Sequence, residues 1–264
     1  MTHGICLWMA ASLRAAPSHT AEMVSQLLFG ETYEILESQP EWLKVCTDDC
    51  GYEAWLQRKQ HTPVSEEELT TLHQTQVCRV ETLFQYIRDK AFHIPTLLCA
   101  GARYPKPVDN AFTIAGRKFV LETTTPLHVV RHEGLTEQQD RLLSFALQYL
   151  NAPYMWGGRT PAGIDCSGFT QLVYASIGIS LPRDASQQVQ MGTPVDFVDE
   201  ACIGDLAFFG NEEGKIIHVG MVCGRRQILH ASGHVQINTL DETGIFRDDV
   251  GQYTHTLRVI KRIL

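Results

Sequence analysis

The 264-residue chain is 44% hydrophobic and 20% charged, a globular balance with length enough for one to two ordinary domains. Lys and Arg number 22 against 30 Asp and Glu, a formal charge of −8, so the basic surplus needed to bind nucleic acid or an anionic membrane is missing. Eight cysteines without dense spacing exclude a small secreted disulfide scaffold and point to reduced thiols.

The first apolar stretch, Gly4 to Leu13 followed by Ala15-Ala16, has no Lys or Arg before it, as a secretory signal would require. His3-Gly4-Ile5 does not suit lipidation of Cys6 either. No later run reaches the roughly 18 uncharged apolar residues of a membrane span, and the expectation is a cytoplasmic protein. Short strands are expected at 23–28, 32–37, 43–47 and 52–56, punctuated by Phe29-Gly30, Gln39-Pro40 and Asp48 to Gly51. That pattern reads as a small β-barrel. Ser65 with Glu68 has capping-box spacing and opens a helix within 66–78. A second short-stranded region, roughly 80–125, has turns at Gly101, Tyr104-Pro105 and Asp109-Asn110, so two small barrels in tandem are expected.

From Thr136, with Gln139 at the capping-box position, Leu142, Leu143, Ala146, Tyr149 and Leu150 recur at helical spacing up to Pro153. After the glycine-rich loop Tyr154 to Gly158, a second helix opens at Cys166 and runs to Ile177. Strands follow at 205–209, 216–222, 228–232 and 256–260. Helices first and an antiparallel sheet afterwards make an α+β layout. The expected organisation is a barrel at 1–62, a helical linker at 63–79, a second barrel at 80–130 and an α+β domain at 131–264.

A cysteine at a helix start is the first chemical signal, because free N–H groups and the helix dipole favour thiolate over thiol. Cys166 has that position. Cys6, Cys46, Cys50, Cys78, Cys99, Cys202 and Cys223 read as small hydrophobes, and Cys46 and Cys50 lack the second Cys or His pair of a structural zinc site. A cysteine nucleophile needs a base, and the base needs an orienter. His218 and His230 lie on consecutive strands; with the turn centred on Gly224 they fall directly opposite each other, Cβ atoms about 5 Å apart. A one-residue slip would separate them. His128 and His132 have the spacing of two ligands on a helix but no third, and neither metal nor organic cofactor is expected.

Asp165-Cys166-Ser167-Gly168-Phe169, Gly204-Asp205-Leu206, His218-Val219-Gly220-Met221 and His230-Ala231-Ser232, in that order over roughly 136–264, resemble the NlpC/P60 family of papain-like cysteine peptidases, which cleave peptidoglycan stem peptides. The resemblance implies Cys166 as nucleophile, His218 as general base and His230 as its orienter. Tyr154 and the Cys166 backbone N–H would stabilise the oxyanion, while Trp156, Asp165 and Ser167 would line the substrate. Leu13-Arg14 through Pro17, Ala21 to Gln26, Phe29-Gly30-Glu31, Trp42 and Tyr52 to Leu56 resemble the first SH3-like domain of γ-D-glutamyl-L-diamino acid endopeptidases of murein recycling, the dipeptidyl-peptidase VI type. This implies two SH3-like domains before the peptidase, the first selecting murein peptides whose L-Ala amine is free. Glu22 and Tyr52 match its recognition positions and Asp184 a recognition position of the peptidase domain. The sequence departs from the pattern at Ala54, usually Gly, and at Ala185, where a close relative would have Ser.

The expected activity is hydrolysis of the γ-D-Glu to diamino acid amide in L-Ala-γ-D-Glu-diamino acid, with no nucleic-acid, membrane or obligate protein partner. The alternatives are an acyltransferase using the same Cys and His pair, and a wall-binding module with a dead peptidase fold. Intact Cys166, His218 and His230 weigh against the second.

Overall fold

A computed structural model describes residues 2–122 and 126–264, and the chain divides into two compact units. The first comprises the residues up to 127 and 156–161; the second comprises 128–155 and 162–264. The last residues of the second β region expected at 80–125, namely 123–125, lie outside the described residues.

In the first unit, β1 (His3–Ile5), β2 (Ala10–Arg14), β3 (Met23–Leu28), β4 (Thr32–Ser38), β5 (Trp42–Thr47), β6 (Glu53–Gln57) and β7 (Thr62–Val64) form one sheet in the order β3-β2-β6-β5-β4-β1-β7. The apolar stretch near the start of the chain is core: Ile5, Ala11 and Leu13 are buried, and the alternation of β2 points Ala11 and Leu13 at Leu27, Leu43, Val45 and Leu56. Helix α1 (Glu66–Gln74) starts with the expected reciprocal cap, Ser65 Oγ accepting from the Glu68 N–H and the Glu68 carboxylate accepting from the Ser65 N–H. It stops before 78 because Val77–Arg79 becomes strand β8.

Beyond β8 come β9 (Phe84–Asp89), β10 (Pro95–Cys99), β11 (Arg103–Pro105), β12 (Ala111–Ile114) and β13 (Arg117–Leu121). They make a four-stranded sheet, β10-β9-β13-β12, and the ribbon β11-β8. The two β regions share a core, since Ile5, Leu7, Phe29 and Val64 pack with Ile87, Leu98, Phe112 and Phe119. Strand β14 (Arg159–Thr160) belongs to this unit. Arg159 donates to both carboxylate oxygens of Glu31 at 2.8 and 3.0 Å and to the Gln26 carbonyl at 2.7 Å. Gly157 beside it has φ of +72°, and a Cβ there would lie 2.4 Å from the Met23 carbonyl oxygen, so only glycine lets the segment approach this closely.

The second unit holds α2 (Glu137–Leu147), β15 (Gly163–Ile164), α3 (Cys166–Ala175), α4 (Ala185–Gln188), β16 (Thr193–Val195), β17 (Leu206–Gly210), β18 (Ile216–Gly224), β19 (Gln227–Ser232), β20 (His234–Leu240), β21 (Gly244–Arg247) and β22 (Gln252–Arg262). The Thr136–Gln139 capping box is present. Helix α2 ends at Leu147, short of Pro153, because the next residues wind into tighter turns and Asn151 takes positive φ to donate to the Val235 carbonyl. Strands β17 to β22 run antiparallel in sequence order and β22 pairs with both β17 and β21. The expected sheet is therefore a closed six-stranded barrel, with β16 outside β22. Ala207, Phe209, Val222, Ile228, Leu240, Ile245 and Ile260 fill it, the larger side chains contributing about 1.5–3 kcal/mol each.

Candidate active site

Helix α3 begins at Cys166 because Asp165 caps it, Oδ1 accepting from the Gly168 N–H at 2.6 Å. Every residue from Cys166 to Tyr174 is buried. Arg183, 2% exposed, grips this helix start: it donates to Asp165 Oδ1 and Oδ2 at 3.1 and 2.5 Å and to Ser167 Oγ at 2.8 Å. Gln188, fully buried, joins the Thr170 hydroxyl to the carbonyls of Ser167 and Pro182. Asp165 and Ser167 thus direct polar atoms into the frame that fixes Cys166. Neither Arg183 nor Gln188 was singled out in the sequence, where an Arg or Gln in a loop has no periodic signature.

Cys166 is 6% exposed. The backbone N–H groups of Val219 and Ser167 hydrogen-bond to its sulfur, but burial outweighs them and pushes the thiol up to about 12. The downward shift expected from the helix start alone is overridden by desolvation. Cys6, Cys99 and Cys223 are raised to about 12 as well, by burial. What sets Cys166 apart is its surroundings: the helix start, and a strand in which the residue before Val219 is His218.

His218 and His230 do meet, in a register different from the one expected. Gly220, not His218, stands opposite His230, because the turn carries a bulge between Val222 and Gly224 and Arg226 takes positive φ. The shift is by an even number of residues, so both rings keep the same face and become diagonal neighbours. His218 Nε2 and His230 Nδ1 are 2.9 Å apart. Gly220 makes room for this contact, as a Cβ there would lie 2.8 Å from His230 Cβ and 2.7 Å from Ile228 Cδ1. His230 Nε2 lies 2.9 Å from Asn238 Oδ1. His255 of β22 stacks on His218, ring centroids 4.2 Å apart and planes at 27°, with Phe209 also against His218 at 5.8 Å. Burial holds His218 well below the usual imidazole range and His230 near 4, so the free site contains neutral rings.

Tyr154 is half-buried on the loop before β15, its N–H bonded to the Gly233 carbonyl. Its phenol is raised by burial and by the charges of Cys166 and Asp165. Trp156 is 59% exposed and is not a core aromatic. In the first unit Glu22 is exposed, and Tyr52 is half-buried with its N–H donating to Thr47 Oγ1. In the second unit Asp184 precedes α4 without capping it through its side chain, and desolvation raises its carboxyl. Ala54 and Ala185 are buried. His128 and His132 lie in non-helical chain, and His132 Nδ1 is 3.0 Å from Asp140 Oδ1, so the helical ligand spacing is not realised.

The profile of the NlpC/P60 family matches residues 151–253, and that of the bacterial dipeptidyl-peptidase SH3 domain matches residues 13–60. The chain is 30% identical to a γ-D-glutamyl-L-lysine dipeptidyl-peptidase of Bacillus subtilis, covering 83% of this chain and 76% of that protein. It is 28% identical to dipeptidyl-peptidase 6 of Lysinibacillus sphaericus, over 94% and 96% of the two chains. The crystal structure of an NlpC/P60 family protein from Bacillus cereus superposes with a TM-score of 0.80 at 21% identity, covering all of both chains, and supports the fold. With a cysteine at a capped helix start, a hydrogen-bonded histidine pair on the adjoining barrel and relatives matched over most of their length, the chain belongs to the NlpC/P60 family of cysteine peptidases and carries the bacterial dipeptidyl-peptidase SH3 domain.

Proposed function

We propose that the enzyme hydrolyses the amide between γ-D-Glu and the diamino acid in L-Ala-γ-D-Glu-diamino acid peptides, releasing L-Ala-D-Glu, and that it acts on soluble murein peptides in the cytoplasm. The observation that carries this reading is the placement of Cys166 against the Val219 N–H while His218, one residue earlier, is bonded to His230. Cys166 Sγ attacks the γ-carbonyl carbon and its proton passes to His218. The Cys166 N–H and the Tyr154 hydroxyl receive the oxyanion. Collapse expels the diamino acid amine, protonated by His218, and leaves a thioacyl enzyme that water hydrolyses with His218 as base. Burial favours the neutral thiol and the neutral imidazole in the free site, so the charges of this route develop as the sulfur attacks.

Selection for a free amino terminus follows from charge. A desolvated ammonium needs anionic partners, and the family resemblance assigns Glu22, Tyr52 and Asp184 to it. Asp184, already partly desolvated, gains most from a cation. Incubation with free tripeptide, N-acetylated tripeptide and intact sacculi, followed by mass analysis of the products, tests the proposal. L-Ala-D-Glu from the free tripeptide alone supports it; equal cleavage of free and acetylated peptide overturns the amine requirement, and acyl transfer without hydrolysis overturns the reaction.

A further inference from the structure

We infer that Asn238 is a positioning residue that fixes the tautomer of the histidine pair, so that the unprotonated nitrogen of His218 is Nδ1. This rests on the reading of His218 as base. A neutral imidazole has one N–H and one acceptor nitrogen. An amide oxygen only accepts, so the 2.9 Å contact between Asn238 Oδ1 and His230 Nε2 places the hydrogen of His230 on Nε2. Its Nδ1 is then an acceptor, and the 2.9 Å contact to His218 Nε2 requires the hydrogen of His218 to sit on Nε2. One oxygen at the end of the chain therefore decides which nitrogen of His218 can take a proton.

The strands make Asn238 the group for this task. His230 pairs directly with Gln236, but Gln236 turns away and donates to the Ser232 carbonyl at 2.6 Å. Asn238, two residues on and on the same face, reaches His230 diagonally. His255, Arg247 and His234 disfavour a charged His230, while the Asn238 contact favours one. Both rings are held neutral by burial, the condition under which a tautomer has meaning.

The test compares wild type with Asn238→Leu and Asn238→Asp in the full chain. Imidazole 15N NMR near pH 8, with His218 and His230 assigned by substitution, reads the tautomers directly and needs no substrate. Wild type and Asn238→Asp should show Nε2–H on both rings, and Asn238→Leu a mixture. On free tripeptide, Asn238→Leu should lose at least about tenfold in kcat with KM within about twofold, the behaviour of a wrongly held base. Asn238→Asp should recover most of kcat, with the acid limb of its pH profile moved to higher pH because a carboxylate favours imidazolium. Nδ1–H on His218 in wild type, or unchanged 15N shifts in Asn238→Leu, overturns the inference. Equal loss of kcat in both variants does so too. If wild type leaves the tripeptide uncut while the 15N shifts respond to position 238, the substrate reading fails and the tautomer control stands.

Discussion

Removing the Arg183 guanidinium separates the frame of the site from its chemistry. In Arg183→Met, Asp165 keeps its cap to the Gly168 N–H but loses both charge-assisted bonds at 3.1 and 2.5 Å, and Ser167 Oγ loses its donor. The pair is buried, with side-chain exposures of 2% and 7%, and breaking a buried pair from one side costs about 3–5 kcal/mol. Arg226→Met provides the contrast: it removes the exposed pairs to Asp199 and Glu242 and should leave the urea midpoint almost unchanged. Urea unfolding of the full chain, followed by hydrogen exchange resolved to α3, measures both. The double variant Arg183→Met, Asp165→Leu should recover part of the lost stability, since an apolar pair replaces an ion pair at little net cost while the loss of the cap to the Gly168 N–H costs about 0.5–2 kcal/mol. It should remain slow in turnover, because the cap that starts α3 at Cys166 is gone. An Arg183→Met protein within about 1 kcal/mol of wild type would refute the claim that this pair holds the helix that starts at Cys166.

Gly220→Ala should fold with a loss of about 1–3 kcal/mol from overpacking, yet lose at least about tenfold in kcat, because the new methyl group meets His230 Cβ at 2.8 Å; unchanged kcat would show that the register leaves room to spare. For pH, the folded pKa values of His218 and His230 lie below the unfolded value of about 6.5. The stability they contribute is complete above pH 6.5 and declines as pH falls, for His230 down to its folded value near 4. Over that window His230 alone should account for a loss on the order of 3 kcal/mol, and urea midpoints against pH should be flatter in His230→Gln than in wild type. Asp184→Asn should raise KM for the free tripeptide by about tenfold or more, whereas Glu22→Gln, at an exposed position, should change it by less than about fivefold; steady-state kinetics that reverse this order would reassign the cation partner.

What was legible in the sequence was local. The Ser65–Glu68 and Thr136–Gln139 capping boxes are both present, because a cap is settled within four residues. Strand β3 has the bounds read from its residues, and the Cys166 helix and the two histidine strands fall where motif and alternation put them. What escaped depends on contacts between distant segments. Strand β21, only four residues long, gains its identity from barrel closure against β22. The hairpin register depended on a bulge at Val222–Gly224, which no residue pattern announces. His255 reaches His218 only because β22 closes the barrel, and Arg183 and Asn238 act through side-chain bonds to residues many positions away. The downward thiol shift failed for the same reason: a helix start is visible in sequence, but the burial that overrides it belongs to the packed domain.

In the proposed reaction Cys166 forms the covalent bond to substrate with His218 as its base. Acid-quenched reactions with L-Ala-γ-D-Glu-L-Lys, digested and mapped by mass spectrometry, test it most directly. The expected result is an L-Ala-D-Glu acyl group on the peptide that contains Cys166, no adduct and no turnover in a folded Cys166→Ser protein, and accumulation too slow to detect in His218→Ala. Turnover retained above about a tenth of wild type in Cys166→Ser, where the reacting pair should act as a unit, or an acyl group carried by another cysteine, would contradict it.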